Sequence, residues 1–300
     1  MKGGVFHMKQ ILFRGAATAL VTPMQPDGSL DLETLSRLTE WQIQSSISAL
    51  VPCGTTGEAA TLTDEERFTV IQTVAKTAAG RVPVIAGAGC NDTARAEQNC
   101  LAAAAAGADA LLLVTPYYNK CTPKGLQSHF ARLASATPLP VIIYNVPSRT
   151  GVTIDMESRR KLSKVDNIIG LKEASTDFSL IHQHLLELGD TLPLYSGNDD
   201  LTLPLMSLGA HGCISVLSNL LPHSTETLCQ AILQNDLPAA RSLHYSLLPL
   251  MKSLFCEVNP IPVKAAMPLV GFPCGSSLIE PDHLALLQQQ FTMTKQLGLC

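Results

Sequence analysis

The chain has 300 residues, of which 46% are hydrophobic and 15% charged, and a formal charge of −4. This composition excludes a disordered chain and allows one large α/β barrel or two ordinary domains. No Lys/Arg-rich run recommends nucleic acid as a partner, and no apolar run reaches the ~20 residues of a membrane helix.

Residues 1–13 carry scattered lysines but no apolar stretch with a cleavage site, so no signal peptide is expected. Met1 and Met8 are both candidate starts. From there, short apolar, β-branched runs recur at 16–22, 47–53, 82–88, 110–115, 141–145, 168–172, 192–196 and 213–216. Each reads as a buried strand. Helix signals fill the gaps. Thr63-Asp64-Glu65-Glu66 spells a capping box, and Asp92 and Ser175 are further N-cap candidates. Thr122-Pro123 offers a cap followed by proline at the first helical position. Gly80, Gly107, Gly189 and Gly209 fall where helices should stop. Residues 236–300 read as helical throughout. Eight strand–helix units predict a closed (β/α)8 barrel over 1–235, with a C-terminal helical extension over 236–300. An open doubly wound sheet competes, but no GxGxxG motif opens the first helix.

The nine cysteines are odd in number and include no CxxC pair. That argues against a disulfide framework or a zinc site and suits a reducing, cytoplasmic setting.

Lys172 interrupts the apolar run Ile168-Ile169-Gly170-Leu171-Lys172-Glu173-Ala174. Burial disfavours an ammonium and yields a neutral amine, which attacks carbonyls to give a Schiff base. A lysine at a strand end can also simply snorkel to water. In a barrel, the site gathers at the carboxyl ends of the strands. Those ends supply Gly54-Thr55-Thr56-Gly57-Glu58, Tyr117-Tyr118, Tyr144 through Arg149, Lys172-Glu173, Ser196-Gly197-Asn198-Asp199 and Ser215. The Thr55 and Thr56 hydroxyls and amides suit a small carboxylate. Tyr144 suits proton transfer, and the planar fork of Arg149 suits a second carboxylate. Taken singly, the Gly-Thr-Thr-Gly run fits an ordinary turn, the tyrosines fit packing, and Arg149 fits a surface ion pair. Their conjunction is what points to chemistry. Cys53 lies beside this group but has no histidine next to it, which argues against a reactive thiol.

Gly54–Glu58, Tyr144-Asn145-Val146-Pro147 with Arg149-Thr150-Gly151, Gly170-Leu171-Lys172-Glu173-Ala174 and Asn259-Pro260-Ile261-Pro262-Val263-Lys264 resemble, in order and spacing, the dihydrodipicolinate synthase family. This family belongs to the pyruvate-dependent class I aldolases, together with N-acetylneuraminate lyase. The resemblance implies that Lys172 forms a Schiff base with pyruvate, and that Thr55, Tyr144 and Tyr118 relay protons, with Tyr118 reaching a neighbouring subunit's site. It further implies that Thr55 and Thr56 hold the pyruvate carboxylate, that Arg149 binds L-aspartate 4-semialdehyde, and that Gly197 and Ile214 line the pocket. No metal or organic cofactor is expected, and neither is a nucleic acid or membrane partner. A homotetramer of two tight dimers and a place in lysine (diaminopimelate) biosynthesis are expected. A sibling aldolase acting on a sugar acid or hydroxy-oxoglutarate, or a non-catalytic pyruvate sensor, are the alternatives.

Two departures stand out. Ser148 replaces a usual glycine next to Arg149. In the region that confers lysine inhibition on sensitive members, this chain has Ala59, Asp64, Arg67, Asn91, Arg95 and Tyr117. Arg95 takes the place of a glutamate and would repel lysine's ammonium, so weak or absent lysine inhibition is expected.

Overall fold

The structure is a computed structural model and describes residues 9–300; the choice between Met1 and Met8 lies outside the described residues. Eight parallel strands form one sheet: β1 Gly15–Ala19, β2 Ala49–Val51, β3 Ile85–Gly87, β4 Ala110–Val114, β5 Val141–Asn145, β6 Ile168–Glu173, β7 Leu194–Ser196 and β8 Gly212–Ser215. Their order, β2-β1-β8-β7-β6-β5-β4-β3, is sequential, and a parallel bridge between Leu50 and Val84 joins the two ends. The sheet is thus the expected barrel. Each expected strand is present: β5 has its expected bounds, β6 gains Glu173, β1 and β8 begin one residue earlier and end sooner, and β2, β3, β4 and β7 are shorter.

The helices follow the strands in turn: α1 Leu32–Gln44, α2 Asp64–Ala78, α3 Thr93–Ala105, α4 Pro123–Ser135, α5 Pro147–Thr150, α6 Met156–Leu162, α7 Phe178–Leu188, α8 Thr202–Ser207 and α9 Pro222–Leu233. The Thr63–Glu66 capping box forms, and Asp92 and Thr122 cap α3 and α4. Ser175 does not cap α7. That role falls to Asp177, whose side chain accepts from the Leu180 amide, while the Ser175 amide donates to Glu173. Beyond the barrel, α10 Leu237–Ser253, capped by Asp236, packs on α9 and α12 Pro281–Gln296; α11 Ile261–Ala266 lies between them in sequence. No helix among the described residues is long and apolar enough to cross a membrane.

Two apolar clusters sit on the two faces of the strands. The outer one packs strands against helices. The inner one fills the barrel with small and branched residues such as Ala17, Ala49, Ile85, Ala110 and Ile142, and Phe13 stacks on Tyr195 at 4.4 Å. The strands approach closely where they carry glycine. A Cβ on Gly87 would lie 2.0 Å from the Cys53 carbonyl oxygen, so no other residue fits there.

Candidate active site

Strands β5 and β6 pair so that Tyr144 lies opposite Lys172 and Asn145 opposite Glu173. Side chains alternate along a strand, so the two pairs face opposite sides of the sheet. Outside, Glu173 is fully buried against Arg159 of α6. It also accepts from Asn145 Nδ2 at 2.7 Å and from the Ser175 amide at 2.8 Å, while Arg159 Nε donates to the Ile154 carbonyl. This network fixes the end of β6 against β5 and α6.

Inside, Lys172 is 6% exposed, and its Nζ sits 4.3 Å from the centre of the Tyr144 ring. Burial lowers the lysine to about 8, and the Asp199 carboxylate is the strongest opposing influence. Asp199 is itself buried and accepts from the Val216 and Leu217 amides. Burial raises the Tyr144 phenol to about 12, so it holds its proton at neutral pH. Gly197 leaves room for the lysine: a Cβ there would lie 3.1 Å from Lys172 Cε and 2.9 Å from Ala174 Cβ.

Lys172, Tyr144, Thr55, Thr56, Arg149 and Gly197 line a single cavity of about 200 Å³. Arg149 comes from the single turn of α5, which ends at Gly151 with φ of 65°. Ser148 sits inside that turn, in helical backbone that serine adopts freely, so the departure from glycine costs no strain. Tyr118 stands elsewhere. Its side chain is 92% exposed, and with Thr55, Tyr144 and Arg149 it lines an adjoining cavity of about 370 Å³. Ile214 is 1% exposed and belongs to the barrel-interior cluster that also holds Tyr144 and Tyr195. Alternation along β8 accounts for its inward direction. Cys53 is buried, and burial raises its thiol to about 12, which rules it out as a nucleophile at neutral pH.

Three features escaped the sequence reading as site components. The Arg159–Glu173 network and the Asp199 influence depend on contacts between distant segments, although Asp199 stood among the strand-end residues. Asn259, within the Asn-Pro-Ile-Pro-Val-Lys run, is expected near the barrel mouth from the sequence, but with no assigned contacts. Its Nδ2 donates to Thr56 Oγ1 at 3.0 Å, and its backbone carbonyl accepts from Arg149 Nη2 at 3.0 Å. Five residues on, Lys264 forms an ion pair with Glu58 at 2.5 Å. The C-terminal extension thereby holds both the Gly-Thr-Thr-Gly loop and the arginine. Of the residues tied to lysine inhibition, Ala59, Arg67 and Tyr117 line the adjoining cavity, and Arg95 forms an exposed ion pair with Asp64 at 3.2 Å.

A buried amine lowered to about 8, a protonated phenol beside it, hydroxyls and a guanidinium in one small cavity can perform imine chemistry on a short keto acid. Comparison with known proteins agrees. The model of the dihydrodipicolinate synthetase family matches residues 12–297. A 4-hydroxy-tetrahydrodipicolinate synthase of Exiguobacterium sibiricum is 49% identical over 283 residues, covering 92% of this chain and 97% of that protein. One from a Thermoanaerobacter species is 47% identical over 265 residues, covering 88% and 89%. The crystal structure of the chloride-inhibited dihydrodipicolinate synthase of Acinetobacter baumannii, complexed with pyruvate, superposes with a TM-score of 0.92 at 39% identity, covering 96% of this chain and 99% of that one. The chain belongs to the dihydrodipicolinate synthetase family.

Proposed function

We propose that the protein condenses pyruvate with L-aspartate 4-semialdehyde to give 4-hydroxy-tetrahydrodipicolinate, a step of lysine biosynthesis. The observation that carries this reading is the buried Lys172, with no ion-pair partner among the described residues, in one cavity with Tyr144, the threonine pair and Arg149. In its neutral form, Lys172 Nζ attacks the pyruvate ketone, and water leaves to give an iminium. The iminium draws electrons from the adjacent carbon, a methyl proton departs, and an enamine forms. The enamine carbon bonds to the aldehyde carbon of the semialdehyde, whose carboxylate Arg149 orients. The amine of the condensed product then bonds to the imine carbon, and the carbon–Lys172 bond breaks. Tyr144, with Thr55 and Tyr118, moves the protons; Thr55 and Thr56 bind the pyruvate carboxylate.

The exposure of Tyr118 in a single chain supports a tight dimer in which this ring enters the neighbour's site, within a homotetramer in the cytoplasm. Of the described residues, 9–235 form the catalytic barrel, and 236–300 form an extension that completes its mouth. Lysine inhibits weakly or not at all, because Arg95 places a guanidinium where attraction for an ammonium is needed; half-inhibition by sub-millimolar lysine would count against this.

The test is turnover of purified protein with pyruvate and L-aspartate 4-semialdehyde, with Lys172→Ala as the control. Rapid condensation that the substitution abolishes is expected. Imine trapping on Lys172 by borohydride without condensation would point instead to a sibling aldolase with another aldehyde.

A further inference from the structure

Arg67, on α2, is only 9% exposed, and it lines the adjoining cavity of about 370 Å³. Its Nη2 donates to the Gly87 carbonyl at 3.0 Å, and its Nη1 to the Ala59 carbonyl at 3.5 Å. Nε has no partner among the described residues and, unlike Nη1 of Arg159, is not sealed off by protein. Among the described residues, no carboxylate lies within ion-pair distance of this guanidinium. Glu58, the one acidic residue lining the cavity, is taken by Lys264. Asp64, one turn earlier on α2, is taken by Arg95.

A buried cation without a counter-charge is costly. Lys172 answers burial by releasing its proton more readily. A guanidinium has no such way out, because it keeps its charge in a protein. Arg159 meets the same demand with Glu173. At Arg67 the protein supplies no acid, and the guanidinium faces a cavity instead. Tyr117 lines that cavity too, near enough for the Arg67 charge to act on its phenol, which burial keeps protonated as a second donor.

We propose that this cavity binds a small carboxylate with an apolar body, its charge held by Arg67. The planar fork suits a carboxylate, and the walls that Ala60, Leu112, Val114 and Val146 contribute suit a hydrocarbon portion. The same charge disfavours an ammonium ligand. Thr55, Tyr144 and Arg149 line both cavities, so the ligand lies next to the catalytic group. The site itself does not depend on the reaction proposed above.

The test is titration calorimetry on the intact protein without substrates, using benzoate, its neutral isostere benzamide and the cation benzylamine. A hydrogen-bonded charge corresponds to about 10–100-fold in affinity, so benzoate should bind more tightly than benzamide by about that factor. Benzylamine should bind more weakly than either. Arg67→Gln should bring benzoate down to the affinity of benzamide, while Arg67→Lys should keep part of the preference. Equal binding of benzoate and benzamide by the unmodified protein, or a Kd for benzoate weaker than about 10 mM, would overturn the proposal. So would an Arg67→Gln protein that binds benzoate as the unmodified one does, or one that loses benzoate and benzamide equally. Should Arg67→Gln fail to fold, Arg149→Gln decides. Benzoate binding that survives this change supports the Arg67 site, and binding lost with it assigns the anion to the substrate's arginine instead.

Discussion

Lys172 and Lys264 are buried to the same degree, 6% exposed each, and their surroundings differ completely. Lys264 carries the Glu58 carboxylate at 2.5 Å. Among the described residues, Lys172 has no carboxylate within ion-pair reach; it lies against the Tyr144 ring. Arg159, more deeply buried than either, sides with Lys264, because Glu173 neutralises it. Burial alone therefore does not make a nucleophile. What marks the reactive lysine is that the fold removes water from it and withholds a close counter-charge, so that its desolvation goes uncompensated.

The sharpest way to break this comparison is Lys172→Met. Turnover should fall by at least about 10³-fold, because the nucleophile is gone, while stability should rise. Folding lowers this lysine from 10.5 to about 8. The unfolded chain thus binds more protons between those values, and wild-type stability declines as pH drops from 10.5 to about 8 and then levels off. The deficit below pH 8 is about 3 kcal/mol. Urea unfolding should show Lys172→Met more stable at pH 7, with the gain shrinking toward pH 10.5. A destabilised variant at pH 7 would contradict the comparison.

Glu173→Gln tests the opposite arm. It leaves Arg159 buried and uncompensated, at an expected cost of about 3–5 kcal/mol in denaturant unfolding. A cost below about 1 kcal/mol would show that this pair behaves like a surface one. The smallest effect belongs to Asp199, the distant charge that partly sustains the Lys172 ammonium. Asp199→Asn keeps an acceptor for the Val216 and Leu217 amides but removes that influence. The acidic limb of imine formation, which rises through the lysine's titration near pH 8, should move to lower pH by less than about one unit. Movement to higher pH would show that Asp199 does not act through its charge.

Much of this was legible in the sequence because it is local. Strands buried on both faces announce themselves as apolar runs, and the Thr63 box and Asp92 cap act within one helical turn. Lys172 stood out because a cation breaks such a run. What stayed hidden is long-range or depends on spacing within a turn. Ser175 and Asp177 are both good caps, and the choice between them turned on where α7 begins, at Phe178, directly after Asp177. The Arg159–Glu173 pair joins a helix to a strand, and nothing in either segment reveals that both ends are dry. Asn259 meets Thr56 across 203 residues of sequence.

That last contact bears on how the protein comes into being. During synthesis, the Gly-Thr-Thr-Gly loop emerges early and waits for nearly the whole chain before Asn259 arrives. All eight strands, with the nucleophile among them, leave the ribosome before the mouth of the site can be finished. A nascent barrel is therefore a barrel without its complete site, and a protease cut ahead of Asn259 would separate a full set of strands from the residue that braces their two carboxylate-binding groups.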